Sequence, residues 1–414
     1  MAGGAFLVGR DTRLSGEMLQ AGLSAGLASE GRDVIDVGVI PTPGLAWLAA
    51  GRRLPGAMIS ASHNPFVDNG IKLFDAGGNK ISVEIEAALQ DELDAREEGS
   101  AGAAGSGSGA QVGRIASDAG AVSEYVDQLV SVVAAASMPD GEVVIDCAHG
   151  SASRIAPLVF ERLKVRHHVM FAEPDGTNIN AGCGSTHLAS LTEEVLRRQA
   201  VLGVAFDGDA DRMLAVDHKG GMIDGDHLIA MFAADLSQAG TLVGDTVVVT
   251  VLSNLGLRIG LKSAGIEVVE TPVGDRHVAD ALETGGYVLG GEQSGHLIFR
   301  QHASTGDGIL TALKLLELLG RTGRSLAELA DEAMRRLPQV LVNVVVARPD
   351  RLGDAGAVWD EARAVELELG EAGRVLLRPS GTESCVRVMV EAPTHDEAER
   401  YAERIAAVVR RDLG

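Results

Sequence analysis

Short apolar runs alternate with amphipathic helical patterns along almost the whole of this chain, and that alternation confines it to layered α/β architecture. Gly141-Glu-Val-Val-Ile-Asp146 reads as a buried strand, and the stretch from Leu188 to Gln199 as a helix with apolar positions at Leu188, Leu191, Val195 and Leu196. Further strands are predicted from Thr246 to Val251, Ile266 to Thr271 and Tyr287 to Gly290. Helices are predicted from Asn254 to Ala264 and from Arg276 to Glu283. At 414 residues the chain exceeds what one core fills, and roughly 100 to 200 residues per domain predicts three or four domains.

Two breaks interrupt the pattern. From Glu97 to Gly113 the chain contains Gly-Ser-Ala-Gly-Ala-Ala-Gly-Ser-Gly-Ser-Gly and almost no large apolar side chain, so a flexible loop or linker is expected there. A helix with Ile85, Leu89 and Leu93 at four-residue spacing precedes it. After Leu337-Pro338 the texture becomes strand, helix, strand, strand, helix. The last helix opens with Thr394-His-Asp-Glu397, a capping-box pattern.

The formal net charge of −22 argues against general affinity for nucleic acid or an anionic membrane, because both rely on basic patches that neutralise phosphates. A small anionic substrate remains compatible, met by a few local arginines, lysines and a metal. Cys147, Cys183 and Cys385 are widely spaced with no C-x-x-C pair, which predicts neither a disulfide framework nor a thiolate metal site and points to reducing cytosol. The start, Met1 to Arg10, lacks the basic and apolar regions of a signal peptide, and no run approaches the roughly 20 apolar residues of a membrane span. A soluble cytoplasmic protein is expected.

Asp207-Gly-Asp-Ala-Asp-Arg212 follows the apolar run Val201-Leu-Gly-Val-Ala-Phe206. A strand presents alternate residues to one side, so as the chain turns off the sheet Asp207, Asp209 and Asp211 can converge on one hard cation, expected to be magnesium. A calcium loop would need glycine at its sixth position and glutamate at its twelfth, where this chain has Arg212 and His218. Arginine beside the carboxylates suits a site that also holds an anionic substrate.

Three more loops carry chemistry. Ile59-Ser-Ala-Ser-His-Asn-Pro65, continuing to Asp68-Asn-Gly-Ile-Lys72, places Ser62 in a turn with His63 beside it and Lys72 within reach. A serine is a weak nucleophile until a base or metal assists it. In Gly290-Gly-Glu-Gln-Ser-Gly-His296, Glu292 and Ser294 suit sugar hydroxyls or an amine, and His296 suits proton exchange. Arg378-Pro-Ser-Gly-Thr-Glu-Ser384, between two predicted strands, offers a phosphate nest. Taken singly, each of the three also reads as an ordinary polar turn.

Together the four loops, in this order, resemble the α-D-phosphohexomutase family over essentially the whole chain. Gly9-Arg-Asp-Thr-Arg-Leu-Ser-Gly16, Ile59 to Pro65, Asn178-Ile-Asn180 with Cys183-Gly-Ser-Thr-His187, Gly291 to His296, and Thr305-Gly-Asp-Gly308 are similar to its bacterial amino-sugar branch. The resemblance implies three related α/β domains and a C-terminal α+β domain, here residues 1–117, 118–219, 220–337 and 338–414. It implies a ping-pong cycle in which phosphorylated Ser62 converts glucosamine 6-phosphate to glucosamine 1,6-bisphosphate, then recovers a phosphate as glucosamine 1-phosphate leaves. Mg²⁺ would be held by Asp207, Asp209, Asp211 and a phosphoryl oxygen on Ser62. His296 or Lys72 would move the proton, with His63 and Arg212 steadying the phosphoryl group. Asp275 and Glu292 with Ser294 would face the sugar, and Arg378, Ser380, Gly381 and Thr382 would hold the phosphate that is not reacting. For Asp275 a helix N-cap is the competing reading. A homodimer is compatible with the family.

The chain also departs from the family pattern. Members begin with a strand and helix carrying a Phe-Gly-Thr-Asp-Gly-Ile-Arg-Gly-like motif. Here Gly9-Arg-Asp-Thr-Arg13 comes almost at once, so a first domain without that element and its arginine is expected. His277 stands where the pattern has tyrosine. Two alternatives stay open: a phosphomannomutase or phosphoglucomutase with the same mechanism, against which Gln293 favours the amino sugar, and a non-catalytic phosphosugar-binding protein. Ser62, the three aspartates and Arg378 argue against the second.

Overall fold

Buried valine, isoleucine, leucine and alanine fill the interior strands of four sheets in the computed structural model, which describes residues 4–97, 112–380 and 383–414. The Gly/Ser-rich stretch expected to be a linker lies mostly at 98–111, outside the described residues. The chain forms two compact units. One is built by the chain up to Leu252 and from Gly265 to Glu332, the other by Ser253–Ala264 and Ala333–Gly414.

The first unit contains three sheets. The first is built from β1 (Phe6–Arg10), α1 (Leu14–Ser29), β2 (Val34–Val39), α2 (Thr42–Arg52), β3 (Gly56–Ile59), β4 (Ile71–Phe74), α3 (Val83–Glu97) and β5 (Ile115–Ser117). Its order is β4-β3-β1-β2-β5, with only β4 antiparallel. The second comprises α4 (Ala121–Ser131), β6 (Glu142–Asp146), α5 (Ala152–Arg162), β7 (Arg166–Met170), α6 (Ala189–Arg198), β8 (Leu202–Phe206), β9 (Met213–Asp217) and β10 (Met222–Ile223), in the order β10-β9-β8-β6-β7. The third follows α7 (Gly225–Gln238) with β11 (Thr246–Thr250). The helix α8 (Leu255–Ser263) comes next in sequence and belongs to the second unit. The sheet continues with β12 (Glu267–Thr271), α9 (Asp275–Gly285), β13 (Leu289–Gly291) and β14 (Leu297–Phe299), in the order β12-β11-β13-β14, before α10 (Gly308–Thr322) and α11 (Leu326–Ala333). The strands and helices predicted between Gly141 and Glu283 appear within two residues at each end.

The parallel pairs β1·β3, β6·β8 and β11·β13 place the chemistry-bearing loops at strand carboxyl ends, where ligands bind in open α/β sheets. Ser60 follows β3, Asp207 follows β8 and Glu292 follows β13. Along α3 the spaced row Ile85, Leu89 and Leu93 is exposed rather than packed.

In the second unit β15 (Gln339–Val345), α12 (Gly356–Leu369), β16 (Arg374–Pro379), β17 (Cys385–Glu391) and α13 (His395–Leu413) form an antiparallel sheet, ordered β15-β17-β16, backed by two helices. Val386, Val388 and Val390 share a core with Val358 and Val365 of α12 and Ala402, Ile405 and Val409 of α13. Thr394 caps α13 as its sequence pattern predicts, its Oγ accepting from Glu397 N. The buried Glu391 accepts from Arg374 Nε (2.7 Å), Asn254 Nδ2 (3.0 Å) and Leu255 N (2.9 Å), which ties α8 to this sheet. All three cysteines are free and buried. Among the described residues no helix is long and apolar enough to cross a membrane.

Candidate active site

The loop leaving β3 is shaped by a side chain to which sequence reasoning gave no role. Arg13 is fully buried, and all five of its guanidinium N–H groups find acceptors. Nε donates to Asp11 Oδ2 (2.9 Å), and the two terminal nitrogens donate to the carbonyls of Ser62 (2.9 Å), Asn64 (2.9 Å), Asp68 (3.0 Å) and Pro65. Asn180 Nδ2 donates to two of the same carbonyls, Ser62 (2.9 Å) and Asn64 (3.0 Å). From below, Ser60 Oγ accepts from Ser62 N (3.0 Å) and donates to Asp11 (2.7 Å). Ser62 sits at φ 49°, a left-handed conformation that costs a non-glycine residue about 1–2 kcal/mol and persists because the surrounding bonds over-determine it. Gly208 approaches this loop so closely that a Cβ there would lie 2.5 Å from the Ser62 carbonyl.

The turn after β8 brings the three aspartates together as the alternation predicts. Asp207, Asp209 and Asp211 are buried, with one carboxylate oxygen of each within 4.8 Å of the others. Ser62 Oγ donates to Asp207 Oδ2 at 2.5 Å. Lys72 Nζ, carried on β4, donates to Asp209 (2.6 Å) and Asp211 (3.3 Å), and Thr42 Oγ at the start of α2 also donates to Asp209. Burial and the charges of Asp211 and Asp209 hold the Asp207 carboxyl well above the usual aspartate range. Burial has the same tendency at Asp211, but Lys72, His296 and Arg212 outweigh it and hold that carboxyl down. Asp207 therefore resists ionisation without an added cation. Asp209 Oδ1 and Asp211 Oδ1 are buried with no hydrogen-bond partner among the described residues. An all-oxygen set with two orphaned carboxylate oxygens fits a hard divalent cation.

Around Ser62, His63 Nδ1 lies 3.3 Å from Oγ and 3.0 Å from Arg212 Nη1. Burial and then the Arg212 charge lower the His63 pKa, which suits a neutral ring that accepts from the guanidinium. At Lys72 burial disfavours the charge, but Asp209 and Asp211 prevail and raise its pKa above the ordinary lysine value.

The hairpin between β13 and β14 carries Glu292, Ser294 and His296. Glu292 Oε1 accepts from Gly274 N (3.2 Å), while Ser294 Oγ and Gln293 Nε2 are buried without partners among the described residues. His296 Nε2 accepts from Gly306 N (3.2 Å), so the ring proton of the neutral form sits on Nδ1, itself buried and without a partner among the described residues. Asp275 Oδ2 stands 3.7 Å from Nε2. Asp275 does not cap its helix: Gly274 is the N-cap residue of α9, and Asp275 is instead paired with Lys80. Burial opposes its charge, yet His296 and Lys80 bring the Asp275 carboxyl down to about 2. Lys80 had no place in the sequence-based reading.

In the second unit Arg378 and Ser380 stand at the end of β16, and Gly381 and Thr382 lie outside the described residues. Ser380 Oγ accepts from Glu383 N (3.2 Å) and Arg387 Nη2 (3.3 Å).

Comparison with known proteins identifies the family. Phosphoglucomutase/phosphomannomutase family profiles match in chain order: alpha/beta/alpha domain I over residues 1–100, domain II over 123–221, domain III over 224–337 and the C-terminal domain over 341–408. The phosphoglucosamine mutase of Saccharopolyspora erythraea is 51% identical over 406 residues, 97% of this chain and 89% of that one. That of Thermobifida fusca is 50% identical over 412 residues, 98% and 89%. Among solved structures, a phosphoglucomutase/phosphomannomutase family protein from Burkholderia thailandensis superposes with a TM-score of 0.81 at 25% identity, covering 99% of this chain and 90% of that one. Aspergillus fumigatus N-acetylphosphoglucosamine mutase, solved with GlcNAc-6P and magnesium, shares the fold at a TM-score of 0.66 and 20% identity, covering 90% and 93%. The chain belongs to the phosphoglucomutase/phosphomannomutase family, the α-D-phosphohexomutases, in which it stands with the phosphoglucosamine mutases.

Proposed function

We propose that this chain interconverts glucosamine 6-phosphate and glucosamine 1-phosphate by way of a phosphorylated Ser62. The observation that carries the reading is Ser62 Oγ held 2.5 Å from Asp207 inside a buried carboxylate triad with two orphaned oxygens. In this reading residues 1–117 supply the nucleophile, 118–219 the metal ligands, 220–337 the sugar contacts and 338–414 the loop for the distal phosphate.

Asp207, Asp209 and Asp211, with a phosphoryl oxygen on Ser62, would hold Mg²⁺. When bound, the ion neutralises the carboxylates and draws charge from the phosphoryl oxygens. In the forward direction the C1 hydroxyl oxygen of glucosamine 6-phosphate attacks phosphorus, the bond from phosphorus to Ser62 Oγ breaks, and the bisphosphate forms. Arg212 donates to the phosphoryl oxygens in transit, steadied by its contact with His63. Lys72, paired with Asp209 and Asp211, and His296 are the two groups placed to move the hydroxyl proton. For His296 to take it, Nε2 must give up the bond from Gly306 N, and Asp275 would then stabilise the imidazolium. After the bisphosphate turns over, Ser62 Oγ attacks the 6-phosphate and glucosamine 1-phosphate leaves. Arg378, Ser380, Gly381 and Thr382 hold whichever phosphate is not reacting, so that remote binding energy orients the other end.

A coupled assay with Mg²⁺ and a trace of glucosamine 1,6-bisphosphate tests the substrate. The amino sugar is expected to have the highest kcat/KM among glucosamine, glucose and mannose 6-phosphates. An equal or higher value on glucose or mannose would replace this reading by phosphoglucomutase or phosphomannomutase.

A further inference from the structure

Thr305-Gly-Asp-Gly308 touches both the metal turn and His296. Gly308 N donates to the carbonyl of Ala210 (3.0 Å), the residue between Asp209 and Asp211, and a Cβ on Gly308 would lie 2.3 Å from the Arg212 carbonyl. Two residues earlier, Gly306 N donates to His296 Nε2 (3.2 Å), and a Cβ there would meet the imidazole ring at 2.5 Å. Between them Asp307 N donates to the carbonyl of Leu297 (3.3 Å), the residue after His296. A displacement of this short loop would therefore disturb the aspartate turn and His296 together.

The loop is fixed by Asp307. One carboxylate oxygen caps α10 by accepting from Leu310 N (2.9 Å), and the other accepts from the hydroxyl of Tyr125 (2.7 Å), with both side chains buried. Tyr125 belongs to α4, far away in sequence. Its ring packs near Trp47, with centroids 6.5 Å apart, and so close to Gly44 that a Cβ there would lie 2.9 Å from a ring carbon. Gly44 is in the first turn of α2, whose first residue, Thr42, donates its N–H to the Asp209 carbonyl (3.0 Å) and its hydroxyl to the Asp209 carboxylate. Tyr125 thus joins two supports of the same aspartate turn, one through its ring and one through its hydroxyl.

We propose that Tyr125 is a positioning residue of the mutase site, fixing the Thr305–Gly308 loop through Asp307 and so setting the Asp207–Asp211 turn against His296. The inference rests on the proposed function. A phenylalanine would preserve the ring packing on α2 and leave one buried oxygen of Asp307 without its donor, so the hydroxyl can be tested alone.

The experiment compares Tyr125→Phe with the unaltered full chain by calorimetric titration of Mg²⁺ into metal-free protein, by kcat and KM for glucosamine 6-phosphate, and by thermal midpoint. The expected result is Mg²⁺ affinity and kcat each about tenfold lower, with KM moved by no more than about twofold, the size seen when groups supporting metal ligands are removed. Asp307→Ser retains a good helix cap but cannot reach Tyr125, so it should lose as much, and the double variant should be no worse than either single one. Unchanged Mg²⁺ affinity and kcat in Tyr125→Phe, a lowered thermal midpoint with unchanged kinetics, or additive losses in the double variant would each overturn the proposal. If the unaltered protein fails to turn over the sugar, the functional reading fails by itself, and the Mg²⁺ titrations still decide the role of Tyr125.

Discussion

The loop that carries Ser62 and the hairpin that carries Arg378 are both polar turns at the ends of strands, but they are stabilised in opposite ways. Around Ser62 the protein satisfies its own groups: one buried arginine takes four loop carbonyls and the Asp11 carboxylate, and Asn180 takes two carbonyls again. In the hairpin two arginines, Arg378 and Arg387, face each other in register. Arg387 is paired within the turn with Glu383 (3.1 Å) and donates to Ser380, whereas burial and the like charge of Arg387 lower the Arg378 pKa from its ordinary value, so Arg378 is the group that an arriving anion would serve. The difference matches the proposed cycle. The nucleophile must return to one position at every turnover, whereas the hairpin has to accept either end of a bisphosphate.

The largest expected effect is chemical. Ser62→Ala should lower turnover by on the order of 10⁴-fold or more while calorimetry still shows phosphosugar binding. Activity within tenfold of the unaltered protein would remove the covalent cycle. Next, Arg13→Met should break the clamp directly. It strands Asp11 in the interior and frees four carbonyls, so urea unfolding should show a loss of about 3 kcal/mol or more. Arg378→Met sharpens the contrast from the other side. It should leave the unfolding midpoint unchanged and weaken kcat/KM by about thirtyfold, the equivalent of about 2 kcal/mol in one charge-assisted phosphate contact. Equal stability losses at the two arginines would erase the distinction drawn between the turns.

The smallest effect concerns Asp275. Its carboxyl lies at about 2 in the folded protein, below the ordinary aspartate value, so its stabilisation is present above pH 4 and fades as the pH falls toward 2. Partial exposure discounts the contribution to about 1 kcal/mol. Urea midpoints of Asp275→Asn should fall short of the unaltered protein at pH 5, with the gap closing as the pH falls below 3. A gap that persists undiminished at pH 2 would contradict the ion pairing with Lys80.

Much of this was legible in the sequence because it is local. Alternate aspartates after an apolar run converge by strand geometry alone, and the strands and helices around them follow from hydrophobic periodicity. The serine, histidine and lysine of the β3–β4 connection were placed by their turn chemistry. What the sequence withheld depends on residues brought together from far apart. Arg13 reaches carbonyls about fifty positions away, Thr42 meets Asp209 across 167 positions, and Lys80 meets Asp275 across 195. Arg13 and Asn180 did lie inside family-like motifs, but a guanidinium that binds backbone carbonyls has no periodicity to announce it. Tyr125 gave no signal in the sequence, because its partner Asp307 lies 182 positions away. The exposed row on α3 teaches the converse, since four-residue apolar spacing did not guarantee burial.

The most direct test of the account is to incubate purified protein with glucosamine 1,6-bisphosphate and Mg²⁺, locate the phosphate by intact mass and peptide mapping, and chase with glucosamine 6-phosphate. The account predicts one phosphate, on Ser62, discharged to the sugar at least as fast as kcat. A phosphate on another residue, or one on Ser62 that the sugar does not remove, would contradict it.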